Sequence, residues 1–309
     1  MRKEASLALK GITQQDEELW FIKDIDLLIE HQGIEQCRLL VLPALREAVQ
    51  PVIDRQLSNA QQVLEVGCGQ GFFANWLAPE WLKGKISSFD INLPLLRENP
   101  SRNGNLFRGS VYELPTRSNQ FDAVIGYSSF DSFFCLGNAL REVGRTLKPK
   151  GKVVFFQDLI ADLYLEEYEQ KSRYSGWKTT DRHFQDLIKD LKEAGFRIPG
   201  DVEFLEGAAV ERRGAIQKRL GADFAIEKFP LYIVYDRGFV IPIIVRQTPK
   251  GRLVLKVEPE GVLTPQSHQD FRNFIVLNHH PKIDFESFRL GDEDVLEWVK
   301  LCCLVAEKV

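Results

Sequence analysis

Residues 63–73 read Val-Leu-Glu-Val-Gly-Cys-Gly-Gln-Gly-Phe-Phe: four residues of buried-strand type run straight into three glycines at alternate positions. Glycine reaches backbone conformations closed to other residues. Gly67, Gly69 and Gly71 therefore let a strand turn sharply and let a ligand approach the main chain. The following segment, Phe72 to Leu82, reads as a helix. Strand, glycine turn and helix in that order open an α/β unit built on a parallel sheet. Glu65 sits near the strand's end, where a purely structural turn does not need it. A carboxylate there suits a ligand with a cationic amine. A pyrophosphate would favour bare N–H groups at a helix start.

The alternation continues to about Ile198. Strands are predicted at Lys85 to Phe89 (ending at Asp90), Asn105 to Arg108, Phe121 to Tyr127 and Lys152 to Asp158. Helices are predicted at Leu93 to Glu98, Leu136 to Leu147 and Thr180 to Ala194. Pro149 and Gly151 stop the second of these helices. Asp181 caps the start of the third, and Gly195 lies just past its end. Right-handed crossovers place the strand ends on one edge of a parallel sheet, where a ligand sits.

Residues 1–60 read as an N-terminal helical cap. Asp24 to Ile29 begin an amphipathic segment, and Glu35 to Arg55 keep apolar residues at helical spacing, with turns at Pro43 and Pro51. Trp20 and Phe21 are candidates for a lid. Residues 61–200 form the α/β core. Residues 201–309 are expected to form a C-terminal α+β extension that sets specificity or an oligomer interface. In it, strands are predicted at Asp201 to Leu205, Leu231 to Tyr235, Phe239 to Arg246 and Arg252 to Val257, the last two paired across a Thr-Pro-Lys-Gly turn. Ala208 to Leu220 reads as a helix. So does Asp294 to Ala306, although Cys302 to Ala306 also fits a strand.

Composition narrows the function. A net charge of −4 over 309 residues argues against broad binding to nucleic acid or an anionic membrane. The five cysteines form no C-x-x-C pair and the five histidines no H-E-x-x-H, so neither a disulfide framework nor a metal site is expected. The first residues lack signal-peptide character and no apolar run reaches spanning length. A cytoplasmic protein is the expectation.

After the second strand, Asp90 stands 19 residues beyond Gly71, placed to accept hydrogen bonds from both hydroxyls of a ribose. Ile91 beside it offers an apolar face. A dinucleotide fingerprint needs G-x-G-x-x-G, and position 72 is Phe. The run 64–71, then Phe89-Asp90-Ile91, Gly109 to Pro115, Gln120 to Ile125 and Ala139 to Gly151 together resemble the class I S-adenosylmethionine-dependent methyltransferases, in particular the type 11 methyltransferase domain. The resemblance covers residues 62–158. It implies a Rossmann-like, mainly parallel sheet with helices on both faces, and S-adenosylmethionine as cofactor. It also implies roles. Glu65 and the backbone of Gly67 and Cys68 hold the methionine amine and carboxylate, with Gly69 and Gly71 completing the turn. Asp90 binds the ribose and Ile91 packs on adenine. The Val111 amide meets an adenine ring nitrogen, and the backbone near Tyr127 places the methionine end. One position departs from the family pattern. Ser110 stands where an acidic residue often contacts the adenine amino group, and its hydroxyl is a neutral, shorter acceptor, which predicts weakened donor binding.

Methyl transfer needs a base only when the acceptor must lose a proton. The loop after the fourth strand offers Tyr127, Ser128, Ser129 and Asp131. Asp131 is a candidate base or amine ligand, or else a helix cap. Tyr127 is more naturally a pocket wall. His183, at the start of a helix, is a third candidate. Tyr164, Tyr168, Tyr174 and Trp177 would line an acceptor pocket or simply pack. His279 and His280 precede Pro281 in what reads as a turn, and Glu211-Arg212-Arg213 with Lys218-Arg219 reads as a charged helix face. The expected activity is methyl transfer to an O, N or C atom of a small molecule, in a possible homo-oligomer. The competing readings are a binder of the same cofactor without transferase activity and an NAD-dependent oxidoreductase.

Overall fold

The first strand, β1 (Val63–Val66), is buried along its whole length. In the computed structural model it lies between two parallel neighbours, which is where an unbroken apolar strand belongs. The structure describes residues 38, 39, 41–82, 84–100, 104–130, 133, 135–156, 184–220, 231–236, 239–248, 251–256 and 294–309. They fall into two units. One contains Pro51–Phe204 with Cys302–Val309, the other residues 38–50 with Leu205–Leu301.

The first unit contains β2 (Ile86–Asp90), β3 (Gly104–Arg108), β4 (Phe121–Tyr127), β5 (Leu147–Phe156) and the short β6 (Phe196–Arg197). Its strands run in the order β5-β4-β1-β2-β3, all parallel. Residues 303–307 of the chain's final strand pair antiparallel with β5. The mainly parallel sheet with intervening helices is the expected α/β architecture. The Leu136–Thr146 helix covers the sheet with Leu136, Ala139, Leu140 and Val143, all buried at i, i+3, i+4, i+7 spacing. Phe121, Phe130 and Phe155 fill the same core, while Phe156, on the other face of the sheet, packs on Phe73. Truncating such a ring typically costs about 3–5 kcal/mol.

Two local features of this unit depart from expectation. β5 begins at Leu147, directly after the helix, not at Lys152. The register against β4 jumps from Phe121↔Leu147 to Ala123↔Lys152, so residues 148–151 bulge out. Pro149 lacks a ladder N–H and Lys150 takes φ +63°, and both fit a bulge better than a regular strand. The predicted Phe72 to Leu82 helix is a π-helical turn (Phe73–Leu77) followed by a short α-helix (Pro79–Leu82), broken where Pro79 has no N–H to donate. Gly195 takes φ +84° past the end of the Phe184–Glu193 helix, as expected of a helix-terminating glycine. Asp181 lies outside the described residues.

The second unit contains β7 (Glu203–Arg212) from Leu205 on, β8 (Leu231–Asp236), β9 (Phe239–Thr248) and β10 (Gly251–Lys256). β9 pairs antiparallel with β8 and β10, the latter across the predicted turn. One helix prediction here is too long at its start, and the other gives way to a strand, as the alternative reading of Cys302 to Ala306 had it. Residues 208–212 continue β7, and the helix starts only at Arg213. Gly207 accounts for part of this. A Cβ there would sit 2.1 Å from the Ala44 carbonyl oxygen, a backbone approach that only a glycine strand position allows. The whole of β11 (Asp294–Lys308) is strand, because residues 295–300 pair parallel with β8 and 303–307 with β5. Pairing partners distant in sequence override local periodicity. The helix predicted from Glu35 to Arg55 is found at Leu42–Leu57. Pro43 lies in its first turn and Pro51 inside it. Among the described residues, no helix is long and apolar enough to cross a membrane.

Candidate functional site

The site is built at the C-terminal ends of β1, β2, β3 and β4. At the end of β1, Gly67, Gly69 and Gly71 take φ values of +62°, +50° and +83°. A side chain at Gly67 would meet the Ser129 Cβ at 2.8 Å, so the segment after β4 lies directly on this turn. The Cys68 N–H donates to the Phe89 carbonyl (3.0 Å), and the Gly71 N–H to the Cys68 carbonyl (2.7 Å).

Asp90 ends β2 and grips the turn. Its Oδ2 accepts the Gly69 N–H at 2.8 Å and its Oδ1 the Asn92 N–H at 2.8 Å. Burial raises the Asp90 pKa, opposed by the amides of Asn92, Gly69 and Ile91. The adjacent Ile91 is half-buried, and its carbonyl accepts from Arg108 Nε at 3.1 Å.

Glu65 is 2% exposed and faces Ser88 across the β1–β2 ladder. The Ser88 hydroxyl donates to Glu65 Oε2 at 2.6 Å. Burial lifts the Glu65 pKa to about 7, the Ser88 bond opposes this, and the Asp90 charge adds to it. Burial, with Glu65 and Asp90 nearby, also holds the Cys68 thiol well above its usual pKa, so it is a neutral packing group and not a nucleophile.

The raised Glu65 pKa has a stability consequence. Between about pH 4.5 and 7 the folded carboxyl binds more protons than the unfolded one, so stability falls as pH rises through that window. Glu65→Gln removes the penalty. At pH 8 the variant is expected to exceed the wild type by about 2–3 kcal/mol in urea unfolding, with the gain shrinking towards zero at pH 4.5. An equal gain at both pH values would assign the effect to packing instead.

After β3, the Gly109 N–H donates to the Asp90 carbonyl at 3.1 Å, which sets Ser110 and Val111 beside the β2 end. The Ser110 hydroxyl oxygen accepts the Tyr112 N–H at 3.1 Å, and Val111 is buried. This loop is clamped from behind by Glu142 and Arg145. Glu142 Oε1 accepts the Leu114 N–H at 2.7 Å. Arg145 donates to the Leu114 and Thr116 carbonyls (3.1 and 2.9 Å) and to both Glu142 oxygens. Arg145 also holds the Glu142 pKa below its usual value. The only trace of this clamp in the sequence is an acid–base pair three residues apart on an amphipathic helix.

Tyr127, at the end of β4, is buried, with ring centroids 5.7 Å from Phe72 and 5.9 Å from Phe73. That packing makes it a wall. Ser128 follows with φ +52° and donates its N–H to the Phe156 carbonyl. Asp131, His183, Trp20, Phe21, the four aromatic residues of 164–177 and the His279-His280 pair lie outside the described residues.

Glu65, Gly67, Cys68, Gly69, Gly71 and Asp90 are thus drawn into one cluster, with Ile91, Ser110 and Val111 along its β2–β3 side and Tyr127 at the end of β4. Sequence reasoning missed Asn75, Asn92 and Asn99. Asn92 Oδ1 accepts the Leu95 N–H and caps the Leu93–Glu98 helix. Asn75 and Asn99 lie beneath the glycine turn. Among the described residues, no lysine or arginine pairs with Glu65 or Asp90. Two desolvated carboxyl groups without a counter-charge, beside bare glycine backbone, fit a cationic ligand that carries vicinal hydroxyls.

Residues 64–155 match a family profile described as a methyltransferase domain. This part of the chain is a methyltransferase domain. Its methyl donor is S-adenosylmethionine, and the Glu65 and Asp90 arrangement fits that ligand. A malonyl-(acyl-carrier protein) O-methyltransferase of Methylovorus sp. (strain MP688) is 27% identical over 63% of this chain and 71% of its own length. Three further relatives of that name match over only 35%, 35% and 42% of their lengths. A demethylmenaquinone methyltransferase of Lactiplantibacillus plantarum is 26% identical over 51% of this chain and 79% of its own. A fatty-acid O-methyltransferase of Mycolicibacterium smegmatis is 31% identical over 31% of this chain and 37% of its own.

Proposed function

We propose that this methyltransferase acts on a small-molecule acceptor, and that the acceptor atom is a carboxyl oxygen on an acyl group. The observation that carries the donor half is the Gly69–Asp90 hydrogen bond, which locks the glycine turn to the ribose-type carboxylate. The acceptor half draws support from relatives named malonyl-(acyl-carrier protein) O-methyltransferase and fatty-acid O-methyltransferase, names that share an acyl acceptor. It also draws on chemistry. A carboxylate is already ionised at neutral pH and needs no base to become a nucleophile. The two acids at the turn, Glu65 and Asp90, are committed to holding the donor, and Tyr127 packs as a wall.

When bound, S-adenosylmethionine supplies an electrophilic methyl group whose leaving group is built in. The chain's own contribution is orientation and exclusion of water. Glu65 would face the donor's ammonium group and give up its proton as that charge arrives. Asp90 would accept the ribose hydroxyls while keeping the Gly69 and Asn92 amides. The turn's glycines leave the main chain open to the methionine end. The Glu142–Arg145 clamp keeps the Ser110–Val111 backbone at the adenine edge.

Thermal-shift assays with S-adenosylhomocysteine and NADH test the donor. Stabilisation by the first and not the second is expected, and the reverse would overturn the reading. The acceptor is tested with S-adenosylmethionine carrying a labelled methyl group and a panel of acyl carboxylates, quinols and amines. Base-labile label in methyl esters is expected. Label confined to base-stable carbon or nitrogen products would redirect the proposal to those acceptors.

A further inference from the structure

Beneath the glycine turn lies a buried pair of amides that nothing above assigns to the site. Asn75 sits in the π-helical turn and is 5% exposed, and Asn99 caps the Leu93–Glu98 helix and is 8% exposed. Asn75 Nδ2 lies 2.9 Å from both the Gly71 carbonyl oxygen and Asn99 Oδ1. Asn99 Nδ2 in turn points at the Gly69 carbonyl oxygen (3.5 Å) and the Cys68 sulfur (3.8 Å). A Cβ at Gly71 would fall 2.3–2.5 Å from both amide groups, so the turn rests on them without slack.

The geometry assigns Asn99 and Asn75 as positioning residues for the methyl donor. The Gly69 residue is held at both ends: its N–H by Asp90 and its carbonyl by Asn99. The same short helix ties the two holds together. Asp90 accepts the N–H of Asn92, the residue that caps the helix start, and Asn99 caps its end. A helical strut of six residues, about 1.7 turns, thus fixes the distance between the ribose-type carboxylate and the turn's carbonyls. The amides act through the backbone, since both are buried under it. Their effect is to hold three glycines in left-handed conformations before the ligand arrives. An unsupported turn of this kind would sample many backbone states and lose affinity when ordered.

This inference rests on the donor reading above, and the test separates the two. In unliganded wild-type protein, hydrogen exchange of the 67–71 amides is compared with that of Asn99→Ala and Asn75→Ala. Exchange faster by about tenfold in the turn, with the β4–β5 amides unchanged, is expected for either variant. Steady-state kinetics of the same variants should show KM for S-adenosylmethionine raised about tenfold, with kcat and the acceptor KM within twofold. Adding Asp90→Asn to Asn99→Ala should cost less than the product of the single effects, because both loosen one residue. Unchanged turn exchange in both variants overturns the assignment whatever ligand binds. Faster exchange with unchanged donor KM also overturns it. Wild-type protein that ignores S-adenosylmethionine, with faster exchange still seen in the variants, removes the donor reading and leaves the turn's support in place.

Discussion

Asp90→Ala is expected to weaken S-adenosylhomocysteine binding by at least about 100-fold in calorimetry, with the fold retained. The carboxylate holds the Gly69 and Asn92 amides at 2.8 Å each, and in the proposed reading it would also accept the ribose hydroxyls. Hydrogen bonds to a charged group contribute about 1.5–3 kcal/mol each. Losing the ribose contacts and the preorganised turn together therefore exceeds the ~2.7 kcal/mol of a 100-fold change. The fold tolerates the change for an opposing reason. Burial has raised the Asp90 pKa, so the folded environment on balance disfavours the charge. Removing it relieves a desolvation cost while leaving two amides unpaired, and the net effect on unfolding should be about 1 kcal/mol in either direction. Asp90→Asn keeps the acceptor at one position only and should fall between. An Asp90→Ala protein that binds the ligand with wild-type affinity would remove Asp90 from the site.

Gly71→Ala should destabilise the protein by about 3 kcal/mol and abolish donor binding. Two costs add. Alanine at φ +83° is strained by about 1–2 kcal/mol. Its Cβ would also stand 2.3 Å from Asn75 Nδ2 and 2.4 Å from Asn99 Nδ2, so the amide pair must move out from under the turn. Gly195→Ala separates these costs. That residue has φ +84°, but nothing lies within 4 Å of its would-be Cβ. It should lose only about 1 kcal/mol and bind the donor normally. Melting temperatures and calorimetry of the two variants make the comparison. Equal destabilisation would show that the amide pair yields at no cost, and that strain alone sets the requirement for glycine.

The glycine turn, Asp90 and the order of strands and helices from 62 to 156 were legible in the sequence because each is a local signal. Three alternate glycines follow a four-residue apolar strand, an acid ends the next strand, and an apolar stripe at helical spacing marks residues 136–146. β11 was legible only over Cys302 to Ala306, which fits a strand as well as a helix, and the rest was illegible for the converse reason. Its residues 294–306 carry a helical rhythm, and only partners more than 60 residues away make them strand. Residues 208–212 failed similarly, with alanines that favour a helix drawn into β7. The Glu142–Arg145 clamp and the Asn75–Asn99 pair escaped because amides and ion pairs have no periodicity. They become meaningful only when backbone groups of another segment arrive within hydrogen-bonding distance.

The sequence alone determined the parallel α/β core, the left-handed turn at 67–71 and the acids at its rim, since backbone conformation and strand burial follow from neighbouring residue types. Tertiary structure decided what those acids experience. Only packing buries Glu65 against Ser88 and lifts its pKa to about 7. Only packing places Asn99 under Gly69 and the Asp90 carboxylate over its amide. Desolvation and hydrogen-bond geometry depend on atoms that are distant along the chain, and those distances exist only after folding.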